Sequence, residues 1–143
     1  MMRVLFLIIY SLCIGVTQAA ADTVIVANAK SPIERLSLSE ATEIYLGRER
    51  RTQAGHLVLP LDHPVSSELR ARFFYELSGR PINQVNAYLA RQLFSGQASP
   101  PLQMPDARAV IDMVKSNTSA IAYLEADPKD RDLRVVLRLT SPR

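Results

Sequence analysis

Short β-branched runs alternate along this chain with stretches whose apolar residues recur at helical spacing, and that alternation limits the possible folds more than any bulk property. TVIVAN at residues 23–28 reads as a strand. Ser37, Leu38, Ser39 and Glu40 form a capping box. Leu38, Ala41 and Tyr45 fall on one face of the helix it opens, which Gly47 closes. HLVLPL at 56–61 is a second strand, with Pro60 placing it near an edge or at a strand end. A helix follows over about 67–77, ended by Ser78 and Gly79. The next runs from Pro81 to about Phe94, striped by Ile82, Val85, Leu89 and Leu93. Residues 95–105 read as a long loop, and residues 106–116 as a helix with Val110, Met113 and Val114 inward. AIAYLE and LRVVLRL are two further strands, joined by the turn-like ADPKDRD. This order predicts an α/β fold, a small mixed, partly parallel sheet flanked by about four helices.

Residues 1–21 differ in kind from the 122 that follow. Arg3 is the only charged side chain before Asp22, residues 4–16 are almost wholly apolar, and Ala19, Ala20 and Ala21 end a small-residue stretch. A basic start, a short apolar run and a small-residue exit predict a secretory signal peptide, cleaved after Ala21 or Ala19. Residues 22–143 are then a single domain. The apolar run is short for a membrane span of ~20 residues. Cys13 follows Leu12, not the small residue that a lipidation site needs.

Composition then excludes several classes. Cys13, the one cysteine, lies in the predicted leader, so the exported domain has no disulfide and relies on its core. Its charge is 16 Lys and Arg against 14 Asp and Glu, which with the predicted export argues against a nucleic-acid partner. FYELSGRPINQVNAYLAR has the outline of a helix-turn-helix, but two packed helices of an α/β domain explain it better. His56 and His63 are the only histidines, and no metal or cofactor site is predicted.

The segment LDHPVSSELR, residues 61–70, joins a strand to a helix. Ligands of α/β sheets sit at such junctions, and helix N-termini offer N–H groups to anions. Ser66 and Ser67 are N-cap residues with hydroxyls able to donate. Arg70 falls inside the apolar arc of Leu69, Phe73, Phe74 and Leu77, and its side chain leans toward the mouth that holds the serines. A cation in a first helical turn opposes the dipole and wants an anion. Asp62 or Glu68 would serve as a structural ion-pair partner; a bound oxyanion, gripped bidentately, is the other reading. His63 either donates to the same anion or caps the loop. Asp62, His63 and Ser67 have the residue types of a hydrolytic triad, but no G-x-S-x-G elbow accompanies them, and they crowd one short stretch. Arg48, Arg50 and Arg51 make a solvated basic loop able to draw anions from a distance. Residues 22–143 hold 13 Arg and 3 Lys, a bias toward oxyanion pairing.

In order, VIVAN, LSLSEATEIYLGRERR, HLVLPLD, SSELRARFFYELSG and SAIAYLE resemble the phosphate-type periplasmic solute-binding proteins of ABC transporters. LSLSEATEIYLG is similar to that family's LT…IFLGK helix, and Ser119 to Tyr123 to its GAIGY strand. The short, stand-alone members are the most alike. The resemblance covers most of residues 22–143 and implies one lobe of a type 2 periplasmic-binding fold. In full-length members an Arg-Ser-Asp-Gly-Ser-Gly-Thr-Thr stretch at the strand-to-helix junction holds phosphate. Carried over, Ser67 falls on the ligand serine, Ser66 on the glycine before it and His63 near the arginine, while Glu68 replaces the second glycine and Leu69 a threonine. With Arg70 and Asp62 added from the local reading, the expected ligand set is Asp62, His63, Ser66, Ser67 and Arg70.

The resemblance implies an exported, periplasmic, non-enzymatic protein that binds phosphate or a related oxyanion in connection with phosphate uptake or sensing. An ABC transporter, sensor or porin is the partner it suggests. Full-length members close two lobes on the ligand, and this chain has the length of one, so a homodimer or a partner protein would supply the missing wall. The alternative expectation is an interaction module that keeps the lobe fold but binds an envelope protein instead of a small anion.

Overall fold

The structure is a computed structural model that describes residues 22–97 and 99–140. The predicted signal peptide, residues 1–21, lies outside the described residues. Among the described residues no helix is long and apolar enough to cross a membrane.

Strand β1 (Val24–Asn28) is buried along its whole length, which places it in the middle of a layered molecule. Alternate side chains of a strand point to opposite faces. Ile25 and Ala27 therefore enter one core, and Val24 and Val26 the other. The remaining strands are β2 (Leu59–Asp62), β3 (Leu102–Gln103), β4 (Ala120–Leu124) and β5 (Leu133–Arg138). They form one five-stranded sheet in the order β3-β2-β4-β1-β5. β2 runs parallel to β3 and β4, and β1 antiparallel to β4 and β5, so the sheet is mixed and partly parallel as expected.

Helices α1 (Leu38–Tyr45), α2 (Glu68–Ser78) and α3 (Ile82–Ser95) supply the apolar side chains of the Ile25 core; α4 (Ala107–Ser116) supplies Val110 and Val114 to the other. The α1 capping box is complete: the Ser37 hydroxyl accepts from the Glu40 N–H at 3.0 Å, and the Glu40 carboxylate from the Ser37 N–H at 2.8 Å. Ser67 and Asp106 cap α2 and α4 in the same sense, each accepting an N–H three residues on. Gly79 ends α2 at φ 71°, the left-handed region where a side chain is strained. Tyr45, Phe73, Phe74 and Tyr123 fill the centre of the larger core, with Phe73 stacked on Tyr123 at 3.8 Å between centroids.

Several expectations are corrected. β2 starts at Leu59 and ends on Asp62, because Leu57 instead bridges back to Arg51. The loop over 95–105 contains β3, whose two residues are too few to show a period and are fixed by pairing with Leu61 and Asp62. Pro81 is the N-cap of α3, one position before its expected place in the first turn. Leu38 is 50% exposed, since Ala41, Ile44 and Tyr45 set the buried arc of α1. Leu93 is 58% exposed, beyond the part of α3 that meets the core.

Candidate ligand-binding site

β2 ends on Asp62, and its carbonyl accepts from the Met104 N–H at 2.9 Å, which fastens this strand end to β3. Asp62, His63 and Arg70 are all buried there. One Asp62 carboxylate oxygen accepts from Arg70 Nε at 2.8 Å, and the other from the Tyr123 hydroxyl. Arg70 Nη1 donates to the Asn86 side-chain oxygen on α3 at 2.7 Å, and its guanidinium carbon lies 5.1 Å from the centre of the Phe74 ring. The apolar arc on which Arg70 sits is thus resolved by an ion pair with Asp62; Glu68 is exposed at the first turn. A buried pair of this kind adds little net stability, but losing one member leaves an uncompensated charge at a cost of about 3–5 kcal/mol.

Tyr123 organises the rest. Burial, and then the Asp62 carboxylate, push its hydroxyl well above the ordinary tyrosine range, and the same causes in the same order act on Tyr45. Both remain donors. Tyr45 reaches the carbonyls of Leu61 and Ile121 at 3.3 and 3.4 Å, which ties β2 to β4 from below the site. The His63 N–H donates to the Tyr123 hydroxyl oxygen at 3.2 Å. The His63 ring packs on the Tyr123 ring, with Nε2 2.9 Å from the Tyr123 carbonyl. Since a carbonyl only accepts, Nε2 carries a proton.

An open cleft of about 470 Å³ lies above this network. Asp62, Arg70, Asn86 and Gln103 give it polar groups, and Val65, Leu89, Leu93 and the two prolines Pro100 and Pro101 give it carbon. Of the five expected ligand residues, the structure brings Asp62 and Arg70 to this cleft. His63 is turned inward onto Tyr123, Ser67 caps α2 by accepting from the Arg70 N–H at 3.2 Å, and Ser66 stands exposed on the turn. Asp62, His63 and Ser67 each hydrogen-bond to other groups, so the chain of bonds a hydrolytic triad requires is not made among them. Sequence reasoning missed Asn86, Gln103 and Tyr123 as parts of the site. The likeness of Ser119 to Tyr123 to the GAIGY strand was a signal for Tyr123.

The basic loop is engaged locally. Arg48 binds Glu43 and the Tyr88 hydroxyl, Arg50 the Ser99 hydroxyl, and Arg51 the Gly55 carbonyl. Among the described residues no group of three or more His, Cys, Asp or Glu is placed to hold a metal ion.

Neither a protein-family model nor a curated protein matches this sequence. Solved structures do. The fold is similar to that of a phosphate ABC transporter substrate-binding protein with bound phosphate from Clostridium perfringens, with a TM-score of 0.62 at 15% identity over 82% of this chain and 45% of that one. It is also similar to an ABC-type phosphate transport receptor from Vibrio cholerae, with a TM-score of 0.61 at 16% identity over 80% of this chain and 45% of that one. The chain spans less than half the length of these neighbours. They are binding proteins, and at this identity the likeness establishes a solute-binding-type fold.

Proposed function

We propose that this chain is an exported, periplasmic, non-enzymatic binding module of the solute-binding type, whose ligand is phosphate or a related oxyanion bound weakly at the carboxyl end of β2. The observation that carries this reading is Arg70, held rigid by Asp62 and Asn86 on the floor of an open cleft. Both Asp62 oxygens already accept hydrogen bonds, while Arg70 and Asn86 keep N–H groups that could serve a ligand. The bound phosphate of the Clostridium neighbour supports the same ligand class. Weak binding follows from two features. The Arg70 charge is balanced by Asp62, and the cleft is open to water, which competes for an anion's hydrogen bonds.

A ligand that binds only the folded state raises its melting temperature. Millimolar phosphate, sulfate or arsenate is therefore expected to raise Tm, and no shift with any of them overturns the reading. The double variant Asp62→Asn with Arg70→Met removes the guanidinium without leaving a lone buried charge. It is expected to fold and to lose the phosphate response.

A second reading is an interaction module for an envelope protein such as a transporter, sensor or porin. It is favoured by Val65 and Leu93, 61% and 58% exposed at the cleft, and by Phe94, 90% exposed next to Leu93 in the chain. Sedimentation of the protein with and without phosphate separates the two. Concentration-dependent self-association that phosphate leaves unchanged favours the interaction module; a phosphate-dependent change in size favours a homodimer closing on the anion.

A further inference from the structure

We infer that the cleft prefers an organic oxyanion, a phosphonate or carboxylate joined to a small aryl or branched hydrocarbon body, over inorganic phosphate. The inference rests on the oxyanion reading above and names the ligand class of that same site. The cleft volume of about 470 Å³ falls in the range of organic-ligand pockets, roughly 300–1,000 Å³. A tetrahedral ion would fill a small part of it.

The chemistry of the cleft is divided in a way that suits a two-part ligand. At the polar end, Asn86 gives its side-chain oxygen to Arg70, so its amide nitrogen is the end left to face a ligand. Arg70 commits Nε to Asp62 and Nη1 to Asn86, which engages two of its five N–H groups. Gln103 directs its amide nitrogen to the His63 carbonyl at 3.4 Å. The donors left to a ligand are thus those of Arg70 and Asn86, the Gln103 side-chain oxygen being an acceptor, and the one carboxylate there is already hydrogen-bonded at both oxygens.

The rest of the lining is carbon: Leu89 and Leu93, one and two turns beyond Asn86 on α3, with Val65 on the turn and Pro100 and Pro101. A bare, hydrated phosphate would shed water against these side chains and gain no bond in return. An aryl or branched alkyl body would cover them and release their water, which is the favourable step. Val65 and Leu93 are the natural points of contact, because each keeps more than half of its surface in water and has no packing role to lose.

The test is titration of the protein with phenylphosphonate, inorganic phosphate and benzyl alcohol, followed by calorimetry or amide shifts. Phenylphosphonate is expected to bind about tenfold or more tighter than either of the others, since it alone uses both ends of the cleft. In the exposed-site variant Val65→Ser with Leu93→Ser, phenylphosphonate should fall to the affinity that the same variant shows for phosphate. Equal affinity for phosphate and phenylphosphonate overturns this inference and leaves the oxyanion reading standing. Benzyl alcohol binding as tightly as phenylphosphonate overturns it by removing the need for the anion. Failure of both anions to bind the folded protein defeats the oxyanion reading as well.

Discussion

Arg70 illustrates what a single position discloses and what it withholds. Its place on an apolar arc, eight residues after Asp62, announces a buried cation in need of an anion, and both candidate carboxylates are local. The pairings with Asn86 and Tyr123 were not legible, because these residues arrive from α3 and β4, 16 and 61 residues away from Arg70 and Asp62 respectively. Arg70→Ala is expected to cost about 3–5 kcal/mol in chemical denaturation, and the neutral double variant Asp62→Asn with Arg70→Met markedly less. A cost for the double variant as large as for the single would mean that the ion pair is not the issue. The tyrosines give a second prediction. In the unfolded chain Tyr45 and Tyr123 ionise near 10, whereas in the folded chain burial and Asp62 hold both protonated. The folded state then binds more protons above pH 10, so stability falls as pH rises, by about 1.4 kcal/mol per pH unit for each tyrosine. Urea midpoints measured between pH 9 and about 11 test this, and Tyr123→Phe should roughly halve the slope.

The helices were legible from their ends and the strands only in part. Ser37 with Glu40, and Gly79 after Ser78, are local signals, and the caps form where those residues stand. Ser37→Ala is expected to lower stability by about 1 kcal/mol. The Glu40 carboxyl is held below its ordinary 4.5, first by the Ser37 N–H, although solvent weakens the effect at this exposed helix end. Its contribution is complete above pH 4.5 and fades as pH falls through the lower folded value, so the cost of Glu40→Ala should narrow at acid pH. At Gly79 an added Cβ would meet nothing within 4 Å, so Gly79→Ala isolates the left-handed backbone and should cost about 1 kcal/mol in thermal denaturation. β3 could not be read in advance, because its two residues become a strand only through bonds to β2. The shift of β2 toward Asp62 has the same origin, and it matters because it puts the carboxylate at the end of the strand that carries the cleft.

For the whole molecule, alternating strands and helices were enough to anticipate a mixed sheet between helical layers, and the length was enough to anticipate one lobe. What remained hidden was how the expected ligand residues would divide. Nearness in sequence suggested that His63, Ser66, Ser67 and Arg70 act together, but a turn between a strand and a helix sends neighbouring side chains in different directions. If the proposed export holds, mass spectrometry of the protein recovered from its cells is expected to find a chain beginning at Asp22 or Ala20, and a chain retaining residues 1–21 would instead mark an anchor. The aromatic stack of Phe73 on Tyr123 has a consequence for the history of such a protein. The residue that fixes the floor of the cleft is also a keystone of the core, so change there is penalised twice. Diversification among descendants of this chain should therefore be concentrated at the rim, at Val65 and Leu93, where replacements alter what is recognised while the scaffold stands.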